Sequence, residues 1–153
     1  MVPMILISAC LAGISCRYNG TGSLVPELAA LLDAGKAIAV CPEVLGGLPV
    51  PREPCEIRVS GGSPAVFGKD GGEFTQAFHR GAGKALRICQ KYSIKNAVLK
   101  SRSPSCGCGR IYDGTFSGKI IEGNGVTAEL LLENGIAVYT EENWKDMPGE
   151  SGT

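Results

Sequence analysis

The chain carries no net charge, because 15 lysines and arginines balance 15 aspartates and glutamates. A grip on nucleic acid needs a surplus of basic groups to neutralise phosphates, so no nucleic-acid polymer is expected as a partner. Long apolar runs are also missing. None approaches the roughly 18 residues that cross a membrane, so no membrane partner is expected. The opening Met1-Val2-Pro3-Met4-Ile5-Leu6 has no basic leader. That argues against a secretory signal and for a cytoplasmic location. The one histidine, His79, lies beside the apolar face of a long helical pattern and reads as a spectator rather than a ligand. No internal repeat or linker is evident. The expectation is a single domain over residues 1–145, with 146–153 as a flexible tail.

Two residue types stand in excess. There are 22 glycines in 153 residues, about twice the usual share of roughly 7%. There are seven cysteines, an odd number. A reducing cytosol excludes a disulfide framework, which leaves metal ligation, nucleophilic chemistry or core filling.

Periodicity places these residues on elements. Residues 4–9 form a nearly continuous apolar run, the mark of a strand buried on both faces. A polar loop from Gly13 to Ser23 follows. Residues 26–34 read as a short helix, with Pro26 in its first turn and Gly35 at its end. Residues 36–40 are a second buried strand, and 41–54, holding four prolines, a loop. Residues 56–60 alternate as an edge strand or hairpin arm, and the pairs Gly61-Gly62 and Gly71-Gly72 bracket a further turn region. Phe74, Ala77, Phe78, Ala82, Ala85, Cys89 and Tyr92 recur at helical spacing, so 74–92 is the best helix. Residues 97–99 are a third buried strand, 110–125 a glycine-rich hairpin, 126–133 a helix and 136–139 a last strand. Strands alternating with helices imply an α/β fold: one mostly parallel, Rossmann-like sheet flanked by helices.

That fold gives three cysteines a common address. Cys10 follows the first strand, Cys41 the second, and Cys106 comes just past the third. Ligands of open α/β sheets bind beyond the carboxyl ends of the strands, so parallel strands bring these thiols to one edge. Soft thiolates in such a set select zinc or an iron–sulfur centre. Glu43 and the serines 101, 103 and 105 lie beside them, as candidates for acid–base work and hydrogen bonding. Cys89 reads as core. Cys55 has no partner motif, and Cys108 makes a Cys-Gly-Cys with Cys106.

Cys16 opens a rival reading. The segment from Cys10 to Arg17 is similar to the phosphate-binding loop of low-molecular-weight phosphatases and arsenate reductases, where a low-pKa thiolate attacks a cradled oxyanion. That loop has one residue fewer between Cys and Arg than the six present here. Its Asp-Pro acid is missing as well. A zinc–thiolate binding domain without chemistry is the other alternative.

Four ordered motifs carry a more specific resemblance. Ser8-Ala-Cys10-Leu-Ala-Gly13, Cys16-Arg17-Tyr18-Asn19-Gly20, Cys41-Pro-Glu43 continuing through Gly46-Gly47-Leu-Pro-Val-Pro-Arg52, and Lys100-Ser-Arg-Ser-Pro-Ser-Cys106-Gly107 together resemble the thiouracil desulfurase family. The resemblance implies a [4Fe-4S] cluster held by Cys10, Cys41 and Cys106 alone, with one iron open to the sulfur of a thiolated heterocycle. It implies a non-redox desulfuration: water attacks the polarised carbon, and sulfide is released. Glu43 is the implied proton-transfer group, and Ser101 and Ser103 are candidates for orienting substrate or water. Arg17, Tyr18 and Arg52 are candidate substrate contacts, the arginines being equally able to pair with loop carboxylates. Gly46-Gly47 and Gly107 are expected to permit close backbone approach to the cluster. Asn19 stands where the motif has Asp.

Overall fold

The computed structural model describes residues 4–60 and 63–147. Strand β1 (Ile5–Ser8) runs into a 3-10 turn, Ala9–Ala12. Helix α1 (Pro26–Asp33) leads to β2 (Ala37–Val40) and the short helix α2 (Pro42–Leu45). Next come β3 (Cys55–Ser60), β4 (Ser63–Gly68) and the long helix α3 (Thr75–Lys91). Strand β5 (Asn96–Leu99), β6 (Arg110–Tyr112), β7 (Ile120–Glu122), α4 (Val126–Glu133) and β8 (Ala137–Thr140) complete the order.

Four of these strands, in the order β2-β1-β5-β8, form an all-parallel sheet. Side chains alternate across its two faces. Ile5, Ile7 and Val98 pack on one face with Leu28 of α1, Trp144 and Met147. Leu6, Ala97, Leu99 and Val138 pack on the other with Ala85 and Cys89 of α3 and Ala128 and Leu131 of α4. Burial on both sides is why these strands read as continuous apolar runs. The chain leaves β1 toward β2 on one side, then crosses back to β5 and β8 on the other. The point of reversal lies between β1 and β5, where a ligand crevice opens at the carboxyl ends.

Two antiparallel hairpins stand apart from this sheet, β3 with β4 and β6 with β7. The stretch between Gly61-Gly62 and Gly71-Gly72, expected to be turn, holds strand β4 instead. Its short Ser-Pro-Ala-Val-Phe-Gly run lacks an alternation of its own and is fixed by pairing with β3. Likewise the expected 41–54 loop contains α2, with Pro42 in its first turn where a missing N–H costs nothing. The Gly61–Gly62 turn and residues 148–153 of the expected tail lie outside the described residues. Ahead of them Trp144–Asp146 is a 3-10 turn and Met147 is buried against the sheet, so the packed chain runs past the expected boundary at 145.

Glycine has a different job from the one expected at Gly46. A Cβ there would run into the carbonyl of Ala77, and a Cβ on Gly81 would run into that of Pro42. The pair therefore lets α2 touch α3 backbone to backbone. Arg80 seals the contact by donating from Nε (3.0 Å) and Nη2 (2.8 Å) to the Gly46 carbonyl. Gly107 is close to its own loop: its Cβ would lie 2.8 Å from the Ser103 carbonyl.

Candidate functional site

A cavity of about 410 Å³ opens at the carboxyl ends of the sheet. Cys10, Cys41, Cys106, Glu43, Ser101, Ser103, Arg17, Tyr18 and Arg52 line it, whereas the candidate Ser105 is buried away from it, its hydroxyl sharing a 2.8 Å hydrogen bond with that of Thr127.

Each strand-end thiol has its own anchor. The Cys10 carbonyl accepts the N–H groups of Gly13 (3.1 Å) and Ser23 (2.8 Å), folding the following loop back on the 3-10 turn. Cys41 caps α2. Cys106 sits in a loop whose N–H groups at Ser105 (3.1 Å) and Cys106 (3.0 Å) donate to the Ser103 hydroxyl. That loop is tied to the start of α4, where Val126 donates to the Pro104 carbonyl and Thr127 to that of Ser105, each at 2.8 Å. The free N–H groups of a helix start thus hold the Cys106 loop in place.

Cys16 joins this set. It lines the same cavity, and its carbonyl accepts from Cys41 Sγ at 3.8 Å. Cys55 lines the same cavity. Cys89 is core, as expected, and Cys108 turns away to the Val138 carbonyl at 3.7 Å. The proximity of Cys16 together with burial raises the Cys41 thiol well above its usual range. Burial alone is the main reason Cys106 and Cys55 are each pushed up to about 12.

These donors fit an iron–sulfur centre. They are all sulfur, lie together at the carboxyl edge of the parallel sheet, and would meet a cationic metal core as thiolates. Among the described residues no three His, Cys, Asp or Glu side chains stand close enough to hold one metal ion.

Facing the thiols is a polar wall. Glu43, in the first turn of α2, accepts from Arg52 Nε at 2.9 Å. Burial pushes the Glu43 carboxyl above its ordinary value despite the opposing pull of Arg52 and the Ser103 hydroxyl. The rest of the Arg52 guanidinium is committed to frame. Nη1 donates to the Pro49 carbonyl (2.9 Å) and Nη2 to that of Cys16 (3.0 Å), with Cys41 Sγ at 4.0 Å. Arg17 keeps one side-chain bond, to Ser23 Oγ at 3.2 Å, and lies over the Tyr18 ring at 6.0 Å. Asn19 Oδ1 accepts from the Thr21 N–H (3.1 Å) and hydroxyl (2.6 Å). An Asp oxygen would take the same bonds, so the change from the motif keeps this turn. His79 is exposed on α3.

Sequence reasoning missed several contributors. Lys100 lines the cavity from within a quoted motif. Glu141, just past β8, accepts from the Ser101 hydroxyl and the Lys100 ammonium. Tyr112, Phe116 and Gly118 bring the β6–β7 hairpin to the cavity, and Glu56 brings β3. Glu56 Oε1 accepts the N–H groups of Gly114 (2.9 Å) and Phe116 (3.1 Å), locking the two hairpins together. Only Lys100 had a local signal; the others are joined to the site by tertiary packing.

Residues 5–143 match the 2-thiouracil desulfurase family. The uncharacterized protein YbbK of Bacillus subtilis (strain 168) is 43% identical over 150 residues, which span 94% of this chain and 99% of that protein. Among solved structures, the [4Fe-4S]-dependent thiouracil desulfidase TudS is similar with a TM-score of 0.87 and 43% identity, over 95% of each chain. These likenesses favour neither the phosphatase-like nor the zinc-only alternative.

Proposed function

Since the chain belongs to the 2-thiouracil desulfurase family, we propose that it removes sulfur from a thiolated heterocycle of the thiouracil type in an iron–sulfur-dependent, non-redox reaction. Water replaces sulfur at the thiocarbonyl carbon, sulfide leaves, and no oxidation state changes. The observation that carries this reading is the convergence of Cys10, Cys41 and Cys106 with Glu43 and Ser101 on one cavity at the switch point of the sheet.

In this reading Cys10, Cys41 and Cys106 hold a [4Fe-4S] cluster. When bound, the cluster supplies a Lewis-acidic iron, free of a protein ligand, for the thiocarbonyl sulfur. Glu43 is the proton-transfer group: burial raises its carboxyl above the ordinary value, and Arg52 fixes its position. Ser103 keeps the Cys106 loop in register and steadies Glu43, while Ser101 orients water or substrate. Arg52 acts as frame, because each of its three guanidinium nitrogens donates to a protein acceptor. Arg17 is the freer of the two arginines for a substrate contact, and Tyr18, Tyr112 and Phe116 offer aromatic faces to a planar base. The neutral charge suits a small uncharged base rather than a nucleic-acid polymer. No helix among the described residues is long and apolar enough to cross a membrane, and seven unpaired thiols suit a reducing, cytoplasmic setting.

The test is anaerobic cluster reconstitution followed by sulfide release from a panel of thiolated bases. A protein that binds close to four irons and releases sulfide from 2-thiouracil supports the reading. An intact cluster with no sulfide from any base would remove the activity and leave the metal centre.

A further inference from the structure

Lys100, Ser101 and Glu141 form one hydrogen-bonded unit at the edge of the cavity. Glu141 Oε2 accepts from the Ser101 hydroxyl at 2.7 Å and from Lys100 Nζ at 2.8 Å. Its other oxygen accepts the Ser101 backbone N–H at 2.8 Å. Lys100 Nζ also lies 3.3 Å from Ser101 Oγ, and the Lys100 backbone N–H donates to Ser8 Oγ at 2.9 Å. Every donor of the Ser101 residue is therefore committed to Glu141. Lys100 and Glu141 are mostly buried, at 22% and 20% side-chain exposure, so the pair is shielded from bulk water.

A hydroxyl whose proton points at a carboxylate has only lone pairs left for a ligand. An ammonium with two bonds made within the unit has a third N–H left over. Lys100 and Ser101 both line the cavity, whereas Glu141 stands behind them. The arrangement parallels the way a carboxylate orients the base of a catalytic triad without touching substrate.

We propose that Glu141 is a positioning residue of the desulfuration reaction: it turns the Ser101 hydroxyl so that Ser101 meets water or substrate as an acceptor, and it presents the Lys100 ammonium as a cationic donor to the exocyclic carbonyl oxygen of the heterocycle. This rests on the reading given above. It adds a role for Lys100, a residue outside the motifs in Glu141, and a direction of hydrogen bonding. Lys100 contacts the ligand, and Glu141 acts through Ser101 and Lys100.

The experiment compares reconstituted wild type, Glu141→Gln, Glu141→Asp and Lys100→Met. Iron and acid-labile sulfide content are measured first, then kcat and KM for 2-thiouracil, then the labelling of Lys100 by trinitrobenzenesulfonate with peptide mapping. Glu141→Gln is expected to keep its cluster and lose between about ten- and a hundredfold in kcat, the range for removing a group that orients a reacting one. Lys100→Met is expected to act mainly on KM. Glu141→Asp, which retains the charge, is expected to recover part of kcat. Lys100 is expected to label severalfold faster in Glu141→Gln than in wild type.

Unchanged kcat in a cluster-loaded Glu141→Gln overturns the proposal, as does Lys100 labelling at the wild-type rate. Should Glu141→Gln lose its cluster, Glu141→Asp decides: loaded protein with wild-type kcat and labelling supports a charge-dependent unit, and loss of cluster there too makes Glu141 merely structural and overturns it. A wild type that holds its cluster but releases no sulfide removes the desulfuration reading and the catalytic role together. The labelling result still reports on the hydrogen-bonded unit itself.

Discussion

At the scale of single residues, the question is which thiols bind metal. Four of them, Cys10, Cys16, Cys41 and Cys106, crowd the strand ends, and a cluster with one open iron needs three. Cys10 and Cys41 stand at the ends of β1 and β2, and Cys106 stands on a loop after β5 that is pinned to the start of α4. Cys16 belongs to the excursion that returns to α1 and reaches the site through Arg52, which holds its carbonyl at 3.0 Å. After anaerobic reconstitution, Cys106→Ala should therefore bind a small fraction of the wild-type iron, while Cys16→Ala and Cys108→Ala should bind nearly all of it. Iron lost from Cys16→Ala but retained in Cys106→Ala would exchange the two in the ligand set. The three strand-end thiols were legible because strand ends can be read from apolar runs. The place of Cys16 was not, since it depends on how an irregular loop folds back.

Elements decide where Glu43 points. Helix α2 is only four residues long and cannot be stable by its own hydrogen bonds. Its orientation comes from α3, through the backbone contact at Gly46 and Gly81 and through the fork of Arg80 on the Gly46 carbonyl. Gly81→Ala puts a methyl group into the Pro42 carbonyl, where neither partner is a flexible side-chain end. Overpacking of this kind costs about 1–3 kcal/mol, so the urea midpoint should fall. The Glu43–Arg52 pair should shift with α2, and activity should drop more than the loss of stability alone explains. A variant with the wild-type midpoint and wild-type turnover would show that α2 takes its place independently of α3. Sequence periodicity found α3 within a residue at each end, because its buried face repeats as Phe78, Ala82, Ala85 and Cys89. It missed α2 and β4, whose short runs carry no period and form only against a partner. The glycines of α2 and α3 were likewise readable as glycines but not as a helix contact.

For the whole molecule, the parallel sheet was legible as four apolar runs, and the order β2-β1-β5-β8 then places the site without reference to any motif. What closes the site is less local: carboxylates that join distant segments. Glu56 binds one hairpin to the other, and Glu141 ties the end of β8 to the end of β5. The second of these ties has a pH signature. Burial opposes the charge on Glu141, but the Lys100 ammonium and the Ser101 hydroxyl and N–H outweigh it and hold its carboxyl below the ordinary 4.5. A carboxyl with a depressed folded-state pKa binds protons less readily folded than unfolded. Its contribution to stability is thus complete above the unfolded value and fades as pH falls through the folded one. Thermal unfolding of the cluster-free protein should show Glu141→Gln melting below wild type at pH 7. The gap should narrow as pH drops from about 5 toward 3, because the wild-type carboxylate is then titrated and the variant has nothing to titrate at that position. A gap that stays constant over this range would mean that Glu141 joins the two strands by hydrogen-bond geometry alone, with no contribution from its charge.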